Sequence, residues 1–318
     1  MFENVLEVAE SPDELIVYAS LGKAARSWPD AHAIVNALLE LDEAETLVLA
    51  SGAPVGVLST GTPAPLVLSA VNNTVGRWSD ADRFYARAAA GQTMWGGLTA
   101  AAWQYIGRQG VLQGTYELFG TIARTHFGAA PGSEADALSG RWVLTSGLGG
   151  MGSAQPISAR MLGLSSLTAE VDPVKAERLL ATGALDLVTE SLDDALAALH
   201  QAKSAAETVA IALLANAADV FAEIAARGVV PDIVTDQTAA HDARYGYLPR
   251  GYDLAGWRTL RETQPRQVER DARASIAAQV EAMLALATAG AAVFENGNNL
   301  RVQAIEHLGG VCLEQVIR

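Results

Sequence analysis

The second half of the chain alternates short apolar runs with segments whose apolar residues recur at helical spacing. The apolar runs lie at Trp142–Leu144, Leu167–Val171, Val209–Leu214, Val229–Val234 and Ala291–Phe294. Strands that alternate with helices form parallel βαβ units, in which helices cover both faces of the sheet. The pattern therefore predicts a Rossmann-like, doubly wound parallel sheet, which we assign to residues 105–318.

Helix signals separate these predicted strands. The predicted helices are Gly110–His126 (starting near Gln113), Ala154–Met161, Pro173 to just before Gly183, Ser191–Ala205, Ala217–Ala226 and Gln267–Ala289. Ser191 is a typical N-cap, and Pro173 suits a first helical turn. The Gly/Ala/Pro/Ser-rich stretch 128–139 is expected to be a connector without an element of its own.

Residues 1–104 have a less regular pattern, which predicts a mixed α/β domain. Its strand candidates are Leu15–Tyr18, Thr46–Ala50, Val55–Leu58 and Leu66–Val71, and its helix candidates are Asp30–Leu41 and a helix capped by Ser79 that ends at Ala90. The predicted fold class is α/β, with this domain at 1–104 followed by the Rossmann-like domain at 105–318.

A glycine-rich turn joins the first two strands of the predicted parallel sheet. Gly147, Gly149 and Gly152 form the pattern G-x-G-x-x-G between a strand and a helix. In a dinucleotide-binding turn the first glycine permits the tight bend, the second lets a pyrophosphate approach the backbone, and the third allows close helix packing. The N–H groups and dipole at the helix start favour a phosphate.

An acidic residue ends the second strand at the position expected for ribose recognition. Glu170 follows Gly147 by 23 residues, near the spacing of the acid that accepts a hydrogen bond from a ribose 2′-hydroxyl. An acid there favours NAD over NADP, because it repels a 2′-phosphate. The alternative is a glycine-rich turn that binds no ligand.

Polar segments follow three further predicted strands. They are Asn216, the run Thr235–Asp242 and the run Glu295–Asn299. Parallel sheets bind ligands at the carboxyl ends of their strands, so these segments are expected to line the same site. The alternative for each is ordinary loop chemistry, since Asn, Asp, Gly and Thr are common in turns.

Composition narrows the class of function. The net charge of −14 argues against a nucleic-acid partner. The single cysteine, Cys312, excludes an internal disulfide and favours a reducing compartment. No apolar run is as long as the ~18 residues of a membrane helix, and the start of the chain lacks a signal-peptide pattern. We therefore expect a cytoplasmic protein that acts on a small molecule, with no membrane association.

Metal chemistry is not expected. The His, Cys and acidic residues show no zinc-ligand spacing. Of the five histidines, only His241 lies in a predicted ligand loop.

Five longer motifs resemble one family. They are YIGRQGVLQGTYELF (105–119), GLGGMGSAQP (147–156), ANAAD (215–219), TDQTAAHDARYGYLPRG (235–251) and FENGNNLR (294–301). Together they are similar to urocanase, also called urocanate hydratase, and the resemblance extends from about Val8 to about Arg301. It implies a tightly bound NAD that acts as an electrophile, not as a hydride carrier, while water is added to urocanate in histidine degradation.

The resemblance also implies a set of cofactor contacts. They are Gly150, Met151, Gly152, Glu170, Lys175 (where the family usually has Arg), Asn216, Ala217, Gln237, Thr238, Ala239, Ala240, His241, Tyr247 and Leu248. Tyr18 and His241 are the candidate catalytic residues. Thr99 and Arg301 are further candidates near the substrate, although Arg301 has the alternative of an ordinary surface arginine.

The sequence departs from the family pattern at several positions. The family's Tyr-Gly-Gly is Tyr18-Ala19-Ser20 here, its Tyr-Gly-Gln-Met-Thr-Ala is 95–100 (WGGLTA), its Asp-Tyr-Gly-Asn-Asn is 295–299 (ENGNN), and Ala215 replaces a glycine. The changes at Gly97 and Asn296 remove a glutamine and a tyrosine where nicotinamide and substrate should meet. They motivate an alternative substrate, a thiolated or methylated urocanate.

The family also has a C-terminal domain with a cysteine signature and substrate-binding arginines. This chain ends soon after the last of the five motifs, and Cys312 does not lie in such a signature. We therefore expect a fragment or a split subunit, which forms a homodimer or associates with a separate C-terminal domain and hydrates little urocanate alone. The alternative from a different class is a catalytically inactive NAD-binding subunit.

Overall fold

The computed structural model of the chain describes residues 1–7, 9–72, 74, 76, 80–104 and 107–308. Two compact units, Met1–Gly110 and Val111–Arg318, make up the chain. The sequence places its domain boundary between residues 104 and 105, and residues 105 and 106 lie outside the described part.

The first unit holds two small sheets and short helices. In chain order its elements are α1 (Phe2–Glu7), a 3-10 turn (Pro12–Glu14), β1 (Ile16–Tyr18), β2 (Gly22–Lys23), α2 (Trp28–Glu40), β3 (Glu45–Ala50), β4 (Ala53–Ser59), β5 (Val67–Ala70), α3 (Ala81–Ala89) and α4 (Leu98–Ala101). β1 and β2 pair in antiparallel fashion. In the second sheet β3 lies between β4, which is antiparallel to it, and β5, which is parallel.

Capping side chains set the helix starts in this unit. α2 begins two residues before the predicted Asp30, because Ser27 accepts a hydrogen bond from the Asp30 N–H at 3.3 Å. α3 is capped by Asp80, whose Oδ1 accepts from the Arg83 N–H at 3.1 Å. The predicted cap, Ser79, lies outside the described residues.

The boundary between the two units, after Gly110, falls within α5. Its elements are α5 (Arg108–Phe127), α6 (Glu134–Leu138), β6 (Trp142–Ser146), α7 (Ala154–Met161), β7 (Ser165–Glu170), α8 (Pro173–Ala181), β8 (Leu187–Thr189), α9 (Leu192–Ala205), β9 (Ala210–Leu214), α10 (Ala217–Ala226), β10 (Ile233–Val234), α11 (Leu254–Thr263), α12 (Pro265–Thr288), β11 (Ala292–Val293) and α13 (Leu300–His307).

One six-stranded parallel sheet organises this unit, which confirms the predicted fold class. The strand order is β11-β10-β6-β7-β9-β8, and every pair is parallel. Residues of α9, α10 and α12 pack with one face of the sheet. Residues of α5, α7 and α8 pack with the other face. Since helices cover both faces, β6 and β7 are buried along most of their length.

The order of strands reverses beside β6. From β6 the chain moves to β7 on one side, and after β9 it crosses to β10 on the other side. Loops at such a reversal leave in opposite directions and open a crevice at the carboxyl ends of the strands, where open α/β sheets bind ligands. The loops after β6 and β10 border this crevice.

Several elements differ from the sequence prediction. α5 begins at Arg108, not near Gln113. It follows Gly107 directly, whose φ of +85° is incompatible with a right-handed helix. β10 is shorter than the predicted Val229–Val234, because Pro231 has no N–H to donate to a ladder.

Other elements were missed. α6 forms inside the predicted connector, where Glu134 pairs with Arg124 and Leu138 is fully buried. The three-residue β8 and the helix α11 were not predicted either. α11 is capped by Asp253, which accepts from the Gly256 N–H at 2.7 Å.

Within the described residues, no helix combines the length and the apolarity needed to cross a membrane.

Candidate functional site

The carboxyl ends of five parallel strands carry the loops that the sequence singled out. They are the glycine turn after β6, Glu170 at the end of β7, Asn216 after β9, the run 235–242 after β10 and the run 295–299 after β11. Because all five strands are parallel, these loops leave the same edge of the sheet. The sheet therefore gathers most of the predicted cofactor residues on one side of the unit.

The glycine turn is held closed by contacts that only glycine permits. Gly147 has φ +84°, and a Cβ on it would lie 2.6 Å from the carbonyl oxygen of Gln237 in the loop after β10. A Cβ on Gly152 would overlap the carbonyl oxygen of Gly147. The turn is thus packed against itself and against the neighbouring loop across the sheet reversal.

Two backbone N–H groups of this turn are not used as donors within the described part of the protein. Within the turn, Ser153 N donates to Gly149 O and Gln155 N donates to Gly152 O, each at 3.0 Å. The N–H groups of Met151 and Gly152 donate to no acceptor in the part of the chain that the structure describes. They precede the first residue of α7, where the helix dipole favours an anion.

Glu170 serves as a structural acceptor at the end of β7. Its Oε2 accepts from the Leu148 N–H at 2.6 Å, and its Oε1 accepts from the N–H groups of Val171 and Asp172 at 2.8 and 2.9 Å. The side chain is buried. A carboxylate has about four acceptor positions, so these three donors leave one of them unused.

The loop after β9 joins two of the predicted cofactor segments. Asn216 caps α10 by accepting from the Ala218 N–H at 3.0 Å, and its Nδ2 donates to the carbonyl oxygen of Leu248 at 2.8 Å. Ala217 is buried as the first residue of α10. Asn216 and Leu248 therefore meet through a direct hydrogen bond.

The loop after β10 continues the strand ladder into the site. Thr235 N donates to Leu144 O at 3.0 Å, and Gln237 N donates to Ser146 O at 2.8 Å. Gln237, Thr238 and Ala239 are half-buried, whereas Ala240 is fully buried. This backbone pairing places the 237–240 segment beside the glycine turn.

A buried carboxylate within the predicted run 235–242, which was not among the assigned cofactor contacts, connects three of these loops. Asp236 Oδ1 accepts from the Ser146 hydroxyl and from Gln279 Nε2, the latter at 2.9 Å. Its Oδ2 accepts from the N–H and hydroxyl of Thr238 at 3.1 and 2.6 Å, and from Asn298 Nδ2. We call Asp236, Ser146, Gln279, Thr238 and Asn298 the Asp236 cluster.

Burial raises the pKa of Asp236, and the surrounding donors act in the opposite direction. One signal in the sequence could have revealed the cluster. Gln279 interrupts the apolar stripe of α12 between the buried Ile276 and Met283, and a polar residue on a buried stripe requires a partner.

Tyr247 extends the Asp236 cluster. Its hydroxyl donates to Gln279 Oε1 at 2.7 Å, and the side chain is buried. Desolvation raises the pKa of this phenol well above its ordinary value. Tyr247 is thereby placed as a buried support of the site and remains protonated at neutral pH.

Two candidates for substrate chemistry lie near the end of β11. His241 is half-buried, and burial lowers the pKa of its imidazole while the charge of Glu295 opposes this shift. Arg301 is paired with Glu295, with Nε 3.2 Å from Oε2. Arg301, in the first turn of α13, is thus paired with an acid of the preceding loop, which partly neutralises the charge that could have bound a substrate carboxylate.

The remaining catalytic candidate belongs to the first unit. Tyr18 Oη lies 2.9 Å from Thr99 Oγ1 and accepts from the Thr99 N–H at 3.1 Å. This places the Tyr18 hydroxyl at the start of α4. A Cβ on Gly97, which precedes α4, would lie 3.3 Å from Tyr18 Cζ and from the backbone of Gly22.

Three predicted cofactor residues lie at the rim of the strand ends. Met151 is 40% exposed in the glycine turn, and Gly150 is half-buried beside it. Lys175 is half-buried in the first turn of α8, directly after the Glu170 loop. All three positions are compatible with contact to a bound nucleotide.

These features fit a dinucleotide. The turn offers N–H donors at a helix start, and Glu170 retains an acceptor position near the end of the adjacent strand. Among the described residues, no group of three or more His, Cys, Asp or Glu side chains could hold a metal ion. Cys312 lies outside the described residues.

Two protein-family models match the chain. The urocanase N-terminal domain matches residues 1–104, and the urocanase Rossmann-like domain matches residues 107–311. The second match coincides with the parallel sheet and the strand-end loops described above, and the first covers the Tyr18–Thr99 contact. On these two matches the chain belongs to the urocanase family, a family of hydro-lyases.

Proposed function

We propose that the chain is a urocanate hydratase-like lyase that uses tightly bound NAD and acts in histidine degradation. The observation that carries the proposal is the glycine turn at the sheet reversal, with Glu170 on the adjacent strand and the 237–240 loop against it. The family matches supply the reaction class.

In this proposal the residues of the second unit hold the cofactor. The N–H groups of Met151 and Gly152 would bind the pyrophosphate, and the free acceptor position of Glu170 would bind the adenosine ribose. Asn216 and the 237–240 loop would position the nicotinamide half. NAD bound in this way would supply an electrophile that activates the substrate imidazole.

His241 is our candidate for proton transfer to or from the substrate. Because burial lowers its pKa, the imidazole is neutral at neutral pH and able to accept a proton. Tyr18, whose hydroxyl is fixed by Thr99, is the second candidate. We further propose a cytoplasmic homodimer, which size-exclusion chromatography with light scattering would test.

The cofactor assignment is tested by binding. We expect the purified chain to carry NAD or to bind it at least ~10-fold more tightly than NADP, equivalent to about 1.4 kcal/mol. Gly149→Val should abolish NAD binding in calorimetry and retain the fold by circular dichroism. Gly114→Val, on the exposed side of α5, is the matched control. Equal affinity for NAD and NADP would show that Glu170 does not face the ribose.

The reaction is tested by following urocanate absorbance with the chain and NAD, first alone and then with a urocanase C-terminal domain supplied in trans. Turnover under either condition supports the hydratase. NAD binding without turnover under both conditions would favour the inactive NAD-binding subunit.

A second candidate, a hydratase of a thiolated or methylated urocanate, is motivated by the changes at Gly97 and Asn296. A Cβ on Gly97 would lie 3.3 Å from Tyr18 and from Gly22, so the family's glutamine would require these neighbours to shift slightly. The packing around Gly97 is therefore adapted to glycine. Comparing kcat/KM for urocanate and for its thiolated and methylated analogues would decide between the substrates.

A further inference from the structure

Five buried polar side chains whose polar atoms have no hydrogen-bond partner among the described residues lie on one face of the parallel sheet. Six atoms are involved: Thr145 Oγ1, Ser166 Oγ, Thr168 Oγ1, Thr235 Oγ1, and both Gln155 Oε1 and Gln155 Nε2. All five side chains are completely buried, and none of these atoms has a hydrogen-bond partner among the described residues. In native proteins the large majority of buried side-chain polar atoms have a hydrogen-bond partner, so a group of unpaired ones on one face requires an explanation.

Strand register places three of the hydroxyl groups side by side. Thr145 of β6 is the register partner of Thr168 of β7. Thr235 follows Val234, the partner of Leu144, so it lies opposite Thr145 on the other flank of β6. Register partners in a parallel sheet point to the same face. We call Thr235, Thr145 and Thr168 the hydroxyl row.

The hydroxyl row lies on the face that α7 covers. Val143 and Ile233, two residues before Thr145 and Thr235 on their strands, pack in one apolar cluster with Ala159 and Leu162 of the α7 region. Side chains two residues apart on a strand share a face. The row therefore points to the same side as this cluster, away from the face that carries the Asp236 cluster.

Gln155 reaches the same level from the helix. It precedes Ala159 by four residues and so shares its side of α7. Four helical residues advance about 6 Å. Two strand residues advance roughly 6.5 Å. α7 runs antiparallel to the strands, so moving back along the helix from Ala159 to Gln155 covers nearly the same distance, in the same direction, as moving along β6 from Val143 to Thr145. Gln155 therefore lies at the level of Thr145. Ser166 of β7 lies one such step below Thr168.

Leaving these groups dry would be costly. An unpaired buried amide or hydroxyl carries its full desolvation penalty. The summed penalty of these six atoms would be comparable with the small net stability of a whole domain. The set contains both donors and acceptors, because an amide has N–H donors and a C=O acceptor and each hydroxyl can donate or accept. Water is the smallest molecule that satisfies such a mixed set.

We propose that the interface between α7 and the sheet is a binding site for internal water molecules, held by Gln155 above and the hydroxyl row below. The bound water anchors the first turn of α7, the helix that follows the glycine turn. This site does not depend on which substrate or cofactor the protein uses, and no family match assigns it.

The direct test is a crystal structure of the complete chain at a resolution that shows ordered water. We expect water molecules within hydrogen-bond distance of Gln155 Oε1 or Nε2 and of at least one hydroxyl of the row. Direct bonds between Gln155 and the threonines, or an apolar contact with no water, would overturn the proposal.

A second test uses the sign of the stability change in urea unfolding. Thr145→Val and Thr235→Val keep the side-chain shape and remove a water anchor. Each should raise the unfolding equilibrium constant on the order of tenfold, the effect of about one buried hydrogen bond. If the hydroxyls are dry, valine removes an unpaired polar group, and the constant should fall.

A double-mutant cycle separates shared water from independent effects. Gln155→Met combined with Thr145→Val should be non-additive, because both side chains would bind the same water. Thr46→Val is the control, since the Thr46 hydroxyl is bonded to Thr60 and Pro65 in the first unit; its effect should add to that of Gln155→Met. Additivity in both pairs would overturn the proposal.

Discussion

At the residue scale, Gly147, Gly152 and Glu170 support one another in the turn. Both glycines are required by close backbone contacts, with Gln237 and within the turn itself. Glu170 accepts from the Leu148 N–H in the middle of the turn. The acid expected to read a ribose thus also fixes the shape of the loop that would bind the phosphates.

Gly152→Ala tests the packing of the turn. The added Cβ would overlap the Gly147 carbonyl oxygen, so the turn must open. We expect a loss of about 2 kcal/mol or more in the free energy of unfolding, as for other strained backbone sites, together with loss of NAD binding. Gly114→Ala is the matched control, because its Cβ would meet no atom within 4 Å and should be neutral or stabilising by up to ~1 kcal/mol. Equal behaviour of the two variants would contradict this packing.

His241 predicts a pH dependence of stability. Because burial lowers its pKa in the folded protein, the unfolded chain holds more protons on this residue between the folded pKa and the ordinary value of about 6.5. The stability of the native protein should therefore fall as the pH falls through this window. His241→Gln removes the effect.

We expect the free energy of unfolding, measured in urea from pH 7 to pH 5, to fall more for wild type than for His241→Gln. An equal fall in both proteins, or a larger fall for the variant, would show that the imidazole is not held neutral.

At the element scale, the Asp236 cluster joins parts of the chain that are distant in sequence. It connects the ends of β6 and β10, the loop after β11 and the middle of α12 through side chains alone. A buried network of this kind fixes loops in one arrangement only when its members are satisfied. We expect it to hold the 237–240 loop against the glycine turn.

Asp236→Asn should disrupt this arrangement. The amide places an NH₂ group among donors that require an acceptor, and we expect a loss of about 2–4 kcal/mol in the free energy of unfolding. Asp219→Asn is the control, because the exposed Asp219–Arg250 pair should contribute less than about 1 kcal/mol. Urea unfolding of both variants measures the difference. A loss for Asp236→Asn as small as that of the control would mean that the cluster does not support the loop.

At the scale of the whole molecule, the parallel sheet places segments from five parts of the chain at one edge. The order β11-β10-β6-β7-β9-β8 puts the glycine turn beside the loop that is 90 residues later in sequence. The first unit contributes the Tyr18–Thr99 contact within its own fold.

Hydrogen exchange with and without NAD tests this arrangement in the complete chain. NAD should slow exchange together in the glycine turn, around Asn216 and Ala217, and in the 237–240 loop, since a ligand protects the backbone it covers and stabilises the state that binds it. The β4–β5 region is an internal reference, because no predicted cofactor residue lies there. Protection confined to the glycine turn would contradict a shared site at the strand ends.

Local patterns in the sequence were sufficient for most of the longer elements of the second unit, except α11, and for some of their limits. α7 and α10 have the predicted bounds, Ala154–Met161 and Ala217–Ala226, because glycine or a capping residue precedes each helix and helical periodicity follows. The glycine turn and Asn216 were also predicted, since their chemistry depends on neighbours in sequence. α6 and β8 were missed because they are too short to show a period.

Only the tertiary structure decided which of these groups meet. The sequence indicated strands but not their order, and strand order sets Gly147 against Gln237 and Ser146 against Asp236. In the sequence Gln155 and Thr145 are ordinary polar residues. Only the strand register and the packing of α7 on the sheet show that both lie on one buried face. Periodicity and capping are local properties, determined by a few successive residues, whereas burial and hydrogen-bond partners depend on residues far apart in the chain.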